Sequence, residues 1–138
     1  EVAKLSSIIS KKPFVRQALK SFQKNFIKKS RLVVVEGRDI GSKIMPNADL
    51  KIFFTCSIKE KAKRRLKEFK NLNKQITLNQ VKKALIQRDN DDTERKISPL
   101  IMTKNAVLVD TTKLSLKQME AKLINLVKNS IKNKYGNL

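Results

Sequence analysis

The sequence contains no histidine and no tryptophan, and it has only one cysteine among 138 residues. Without histidine, zinc sites and histidine-based acid–base catalysis are effectively excluded. The single cysteine, Cys56, cannot form an internal disulfide and has no histidine to activate it as a nucleophile. No apolar run approaches the roughly 18 residues that a membrane-spanning helix needs. We therefore expect a cytoplasmic protein with no membrane partner, no metal site of its own and no catalytic thiol.

The positive charge is the strongest feature of the composition. Lysine and arginine number 32 against 12 acidic residues, which gives a formal net charge of +20. Such an excess favours an anionic partner: nucleic acid, a membrane surface or small phosphorylated molecules. Most of the excess is lysine, which an AT-rich genome tends to place on any surface. The arginines are more informative, because a guanidinium can bind phosphate through two parallel hydrogen bonds.

Three short apolar runs rich in β-branched residues predict strands at residues 32–35, 50–55 and 106–110. Runs of this kind are typical of parallel strands buried on both faces. Helical spacing predicts helices over residues 2–11 and from Pro13 to about residue 28. Strands that alternate with helices indicate a doubly wound α/β protein, which binds its ligands at the carboxyl ends of the strands.

Three further helices have a capping-box pattern at their start, in which a serine or threonine is followed three residues later by glutamate or glutamine. The pairs are Ser57 with Glu60, Thr77 with Gln80, and Ser115 with Gln118. We expect the first of these helices to reach about residue 70 and the second about residue 88. The charged residues 87–96 that follow should be exposed.

Residues 36–41, Glu-Gly-Arg-Asp-Ile-Gly, directly follow the first predicted strand. Glycine permits backbone conformations with positive φ and lets a ligand approach closely. Arg38 and Asp39 would thus be presented at the carboxyl end of a strand, where α/β proteins bind substrates. A surface ion pair in an ordinary turn is the alternative interpretation.

The second arginine cluster occupies residues 88–95. On a helix, Arg88, Asp92 and Arg95 would share one face. Two arginines with a carboxylate between them suit an anion, whereas a solvated, salt-bridged helix end is the alternative. We expect alanine at Arg88 or Arg95 to lower turnover with little change in folding stability. Two other features are weaker: the Arg64–Arg65 pair, and Asp110, which either caps the third strand or has a functional role.

In chain order these motifs resemble the bacterial cytidylate kinase family. The matching segments are residues 36–42 (EGRDIGS), 46–53 (PNADLKIF), 88–95 (RDNDDTER), 98–100 (SPL) and 107–115 (VLVDTTKLS). The resemblance covers essentially the whole chain. It implies a P-loop NTPase fold of the nucleoside monophosphate kinase type, with a parallel sheet covered by helices, and transfer of the γ-phosphoryl group of ATP, with Mg²⁺, to CMP or dCMP.

The resemblance also implies roles for individual residues. The positions that match Ser7, Arg16 and Asp39 recognise cytosine. This fits the base, because its amino group would donate to a carboxylate while N3 and O2 accept from a guanidinium. Uracil would present an acceptor to that carboxylate and leave buried groups unpaired.

The remaining roles concern the phosphates and the sugar. Positions matching Arg38, Arg88 and Arg95 surround the acceptor phosphate and support catalysis, and Asp92 serves the sugar. Lys61 stands where the family often has arginine, so Arg65 is the better candidate for the donor phosphates. Asp91 replaces a commonly basic position.

The domain organisation follows from the same resemblance. Residues 1–30 would form the helical part of the monophosphate-binding region, and residues 31–138 the C-terminal part of the kinase core, with a lid at about 66–100. No G-x-x-x-x-G-K-[ST] element occurs in the chain. We therefore expect the C-terminal part of a longer, monomeric kinase, inactive without its N-terminal P-loop segment. Another nucleoside monophosphate kinase, a basic nucleic-acid-binding domain and a degenerate fragment with a structural role remain alternatives. With only 5% aromatic residues, stacking platforms for nucleic acid are scarce.

Overall fold

The computed structural model describes Leu5, Ile9, residues 12–30 and residues 32–136. Its helices and strands, in chain order, are α1 (Pro13–Lys29), β1 (Lys51–Thr55), α2 (Ile58–Asn71), α3 (Leu78–Glu94), β2 (Ala106–Asp110) and α4 (Leu116–Tyr135). A five-residue π-helical turn, Ile40–Ile44, lies between α1 and β1. Apart from Leu5 and Ile9, the helix predicted for residues 2–11 lies outside the described residues, and so does Ser7.

β1 and β2 form a parallel pair in which Lys51 lies opposite Ala106 and Thr55 opposite Asp110. The connection between them carries α2 and α3, which pack against each other. The two strands are tied at the start by Lys51, whose Nζ donates to Asn105 Oδ1 at 2.8 Å. Beyond their ends, the Thr111 amide donates to the Thr55 carbonyl at 2.9 Å. Two of the three predicted strands and the α/β class are thus confirmed.

The strand predicted at residues 32–35 is wrong. This segment has no strand assignment and no ladder partner among the described residues. Leu32 and Val34 are almost fully exposed. β-branched residues favour extended backbone, but a strand also requires neighbours that accept and donate its hydrogen bonds. The composition of the run therefore predicted a strand, but the described residues supply no neighbouring strand for it to pair with.

Burial of the two observed strands also differs from the prediction. Val109 is fully buried, whereas Phe54 and Leu108 are about half exposed. A two-stranded sheet has little surface for helices to cover, so the two faces are not both enclosed. Helix α1 is also largely uncovered: it has no buried residue, and Phe22 is 71% exposed.

The helices begin where their capping signals predict. Pro13 opens α1, and complete capping boxes open α3 at Thr77 and α4 at Ser115. The α2 box is half formed, because Ser57 accepts from the Glu60 amide while the Glu60 carboxylate lies 3.6 Å from Arg64 Nε. None of the described helices is long and apolar enough to cross a membrane.

The end of α3 differs from the prediction. The helix continues past residue 88 to Glu94, and its last two turns include Asp89, Asp91, Asp92 and Glu94, with no basic residue in the last turn. Asp92 is buried, although the whole charged stretch was expected to be exposed. Cations from other segments of the chain form ion pairs with the carboxylates at this end of the helix.

Candidate functional site

Asp92 is the centre of a cluster of guanidinium groups. It is buried in the last turn of α3. Its Oδ1 lies 3.2 Å from Arg95 Nη1. Its Oδ2 lies 3.2 Å from Arg38 Nε and 3.9 Å from Arg88 Nε. The structure therefore brings the two arginine motifs of the sequence together around one carboxylate.

A second carboxylate, Asp89, joins three separate segments. Its Oδ1 accepts a hydrogen bond from Arg38 Nη1 at 3.4 Å, and its Oδ2 accepts one from Lys61 Nζ at 2.8 Å. Arg38 belongs to the loop before the π-helical turn, Lys61 to α2 and Asp89 to α3. Arg38 thus lies between Asp89 and Asp92.

The pair predicted to recognise the base is formed: Arg16 of α1 donates to Asp39. Both side chains are mostly buried, each 16% exposed. The π-helical turn fixes the backbone of Asp39, because the Lys43 amide donates to the Asp39 carbonyl at 2.8 Å and the Ser42 hydroxyl donates to it at 3.3 Å. This turn thereby orients the carboxylate that the guanidinium of Arg16 contacts.

Arg95 connects the Arg16–Asp39 pair to the cluster. Burial, and then the positive charge of the Arg16 guanidinium, hold the pKa of Arg95 below its ordinary value, although Asp92 and Asp39 oppose the shift. Such mutual influence requires the side chains to lie near one another. Because an arginine remains protonated even with a lowered pKa, the local consequence is a concentration of positive charge.

The loop after α3 holds Arg95 in place. Arg95 Nε donates to the Ser98 carbonyl at 2.6 Å. The Leu100 amide in turn donates to the Asp92 carbonyl at 2.7 Å. Ser98 has a φ of 53°, a left-handed conformation that is unfavourable for a residue other than glycine. The Ser-Pro-Leu motif therefore lies in a bent loop that folds back onto the end of α3.

The two glycines of the first motif have a different role from the one expected. Neither Gly37 nor Gly41 has a positive φ; Gly136 is the glycine that does. A β-carbon at Gly37 would lie 2.7 Å from Ile40 Cγ1, and Ile40 is buried. Gly37 is thus required for space beside the π-helical turn.

The Arg64–Arg65 pair separates into two roles. Arg64 donates to the Thr111 carbonyl at 2.7 Å and so ties α2 to the end of β2. Arg65 pairs with Glu68 and lies 4.7 Å from the centre of the Phe69 ring. Among the described residues, Arg65 has no ion pair with the cluster around Asp92. Its role toward the donor phosphates stays a prediction.

Asp110, at the tip of β2, has the structural role that the sequence left open. Its carboxylate accepts from the Thr112 hydroxyl at 2.6 Å and from the Thr112 amide at 2.8 Å. These bonds hold the pKa of Asp110 below its ordinary value. Asp110 therefore shapes the turn that leads into α4.

Sequence reasoning missed Asp89 as a member of the cluster and preferred Arg65 to Lys61. The resemblance marked Lys61 only as a replacement for arginine, and Asp89 shares no helical face with Arg88 and Arg95. With both included, five cationic side chains meet three carboxylates, a surplus of two positive charges. They are Arg16, Arg38, Lys61, Arg88 and Arg95 with Asp39, Asp89 and Asp92. Such a surplus matches a dianion, and a phosphate monoester near neutral pH is close to one.

Comparison with known proteins assigns the chain. The model of the family described as cytidylate kinase matches residues 1–129. The chain belongs to the cytidylate kinase family. Because this family has the nucleoside monophosphate kinase fold, membership confirms the predicted fold class: a P-loop NTPase type of α/β protein, of which β1, β2 and their crossover helices are the described parts.

Individual relatives agree with the family assignment. The chain is 39% identical over 127 residues to a cytidylate kinase of Carboxydothermus hydrogenoformans, covering 92% of this chain and 57% of the relative. It is 40% identical over 135 residues to one of Listeria welshimeri, covering 96% and 59%. It is also 43% identical over 129 residues to a bifunctional pantoate ligase/cytidylate kinase of Trichodesmium erythraeum, covering 93% and 24%. The chain therefore spans less than two thirds of the length of these relatives.

Proposed function

We propose that the chain forms the acceptor-binding part of an ATP:CMP phosphotransferase, which converts CMP or dCMP to CDP or dCDP. One observation carries the proposal: a guanidinium–carboxylate pair lies beside a cluster of cations with a surplus of two positive charges. A nucleoside monophosphate has the matching parts, a base with hydrogen-bonding edges and a dianionic phosphate.

Arg16 and Asp39 recognise cytosine in this proposal. The Asp39 carboxylate accepts from the amino group of the base, and Arg16 donates to its N3 and O2. Their mutual ion pair keeps both side chains oriented in a mostly buried place. Because uracil would bring an acceptor against the Asp39 carboxylate, it leaves that group unpaired, which discriminates strongly between the bases. Ser7, assigned to the same base by the resemblance, lies outside the described residues.

Arg38, Arg88 and Arg95 bind the phosphate of CMP. An oxygen of that phosphate attacks the γ-phosphorus of ATP, the bond from the γ-phosphorus to the bridging oxygen breaks, and ADP leaves. The protein contributes little covalent chemistry to such a step, and positioning and neutralisation of charge dominate. Asp92, which already contacts these three guanidinium groups, orients them and accepts from a sugar hydroxyl.

The domain division is part of the same proposal. Residues 1–30 contribute to the monophosphate-binding region, residues 31–138 to the kinase core, and residues of about 66–100 form a lid. Lid closure excludes water and brings Arg88 and Arg95 to the transferring group. Arg65 contacts the donor phosphates when the lid closes. The complete kinase acts as a cytoplasmic monomer.

ATP is the phosphoryl donor in this proposal, and Mg²⁺ arrives bound to its phosphates. Among the described residues, no group of three carboxylate, histidine or cysteine side chains could hold a metal ion; magnesium in kinases is usually bound through one or two carboxylates together with the nucleotide phosphates. The carboxylates of the cluster are already paired with guanidinium and ammonium groups.

Nucleic-acid binding, the other function considered from the sequence, is not supported by the comparisons, in which the family and the relatives named above are cytidylate kinases. The arginines of the cluster are gathered around carboxylates at one place. A nucleic-acid surface instead presents its cations along an extended backbone of phosphates.

The test measures both binding and turnover. The chain is titrated calorimetrically with CMP, dCMP, UMP and cytidine, and is also joined to the P-loop segment of a cytidylate kinase relative and assayed for ADP production. We expect CMP to bind more tightly than UMP and cytidine, and ADP to form only with ATP and CMP or dCMP. Asp39→Asn should abolish the preference for CMP over UMP. Asp49→Asn is the matched control, because Asp49 pairs with Lys134 of α4. Equal turnover of UMP and CMP by the unmodified sequence would refute the role of Asp39.

A further inference from the structure

Asp89 has a position that the proposed roles do not use. Its two carboxylate oxygens bind different cations: Oδ1 faces Arg38 Nη1 at 3.4 Å and Oδ2 faces Lys61 Nζ at 2.8 Å. Asp89 and Lys61 are about one third exposed, so water reaches them. Arg38 is bound by a second carboxylate, Asp92, at 3.2 Å, but Asp89 is the only carboxylate within ion-pair distance of Lys61 among the described residues.

The three groups come from chain segments that no local structure holds together. Arg38 precedes the π-helical turn, Lys61 lies in the first turns of α2 and Asp89 lies near the end of α3. Two cations brought side by side repel each other unless an anion lies between them. Asp89 is that anion here, and it leaves each cation further donors, because a lysine ammonium has three and an arginine guanidinium five.

We propose that Asp89 is a positioning residue of the phosphate site. Its carboxylate holds Arg38 and Lys61 next to each other, so that their remaining donors face one phosphate together. The inference rests on the proposed function only in taking a phosphate group as the ligand. It adds Lys61 to the cations that bind that phosphate. Asp89 positions Lys61 and does not itself touch the ligand.

The proposal and a simple electrostatic argument predict opposite effects of Asp89→Asn on anion affinity. Removing a negative charge beside a phosphate site should strengthen anion binding if charge alone matters. If Asp89 positions two cations, Asp89→Asn should weaken binding, because an amide offers one acceptor and turns its amino group toward the other cation. A role confined to folding would lower the melting temperature and leave the affinity of the folded protein unchanged.

The experiment titrates the full chain with inorganic phosphate and with CMP, by calorimetry at low ionic strength and well below the melting temperature. We expect Asp89→Asn to weaken binding of both ligands about tenfold, and Asp89→Glu, which keeps the carboxylate, to restore most of it. Glu94→Gln is the matched control, since it removes one charge from the same helix and has no ion pair in the cluster. Its affinities should match those of the unmodified chain.

The outcomes separate the two proposals. Equal or tighter binding by Asp89→Asn, or a loss that Glu94→Gln shares, would overturn the positioning role and leave the proposed function intact. Failure of the unmodified chain to bind either ligand would overturn both. If phosphate binds and responds to Asp89→Asn while CMP binds no better than UMP in the titrations of the proposed function, the cytosine assignment fails and the role of Asp89 stands.

Discussion

Alanine substitution of Arg95 and of Arg88 should have clearly different effects on stability. From sequence alone, both residues were expected to matter for turnover with little effect on folding. The structure separates them. Arg95 is 13% exposed and bonds the Ser98 carbonyl at 2.6 Å and Asp92 at 3.2 Å. Arg88 is 46% exposed, and its Nε lies 3.9 Å from Asp92.

The magnitudes follow from these contacts. A hydrogen bond made by a charged group typically contributes about 1.5–3 kcal/mol, and Arg95→Ala removes two. Part of this loss is offset because burying the guanidinium is itself unfavourable, which its lowered pKa reflects. We expect Arg95→Ala to reduce the free energy of unfolding by about 2–3 kcal/mol. For Arg88→Ala, an exposed and distant pair, the expected loss is about 0.5 kcal/mol or less.

Urea denaturation followed by circular dichroism measures both values under identical conditions. A loss of about 2–3 kcal/mol corresponds to a melting temperature lowered by about 8 °C in a domain of this size. Equal losses for the two variants, or an Arg95→Ala protein within about 0.5 kcal/mol of the unmodified chain, would show that the loop after α3 does not depend on Arg95.

Three further outcomes are expected. Gly37→Ala should destabilise the chain by about 1 kcal/mol in urea denaturation, because its β-carbon would meet Ile40 at 2.7 Å; an unchanged midpoint would mean that Ile40 moves freely. Ser98→Gly should stabilise by about 0.5 kcal/mol by relieving the left-handed φ, and a loss of stability would contradict this. Asp110 has a lowered pKa because Thr112 donates to it, so its stabilisation is present above the unfolded pKa of about 3.9 and lost as the pH falls through the folded pKa. Asp110→Asn should therefore lose less stability than the unmodified chain between pH 5 and pH 2, and parallel pH profiles would refute the assignment.

Local signals in the sequence predicted the local structure well. Proline at the first position of α1 and the serine and threonine caps of α2, α3 and α4 all mark real helix starts. These signals act within one turn, so they do not depend on the rest of the fold. The two strands that found a parallel partner were also predicted correctly.

Predictions failed where the answer depends on distant groups. The run at residues 32–35 has the composition of a strand, but strand formation requires a neighbour that the run does not encode. The end of α3 reads as an exposed charged segment, and only the arrival of Arg38 and Lys61 from elsewhere in the chain shows why it is helical and partly buried. Arg64 looked like an ordinary surface cation because its acceptor, Thr111, is 47 residues away.

The end of α3 is unusual for an α-helix in the sign of its charge. The carboxyl end of a helix has a partial negative charge, which disfavours acidic side chains there by about 0.3–1 kcal/mol each. This helix nevertheless ends in four acids without a basic residue in its last turn. Its final turns are therefore stabilised by cations from other segments: Arg38 before the π-helical turn, Lys61 of α2 and Arg95 after the helix. Any anion that competes for those cations will loosen or rearrange the helix end, so amide hydrogen exchange of these turns would report directly on occupancy of the site.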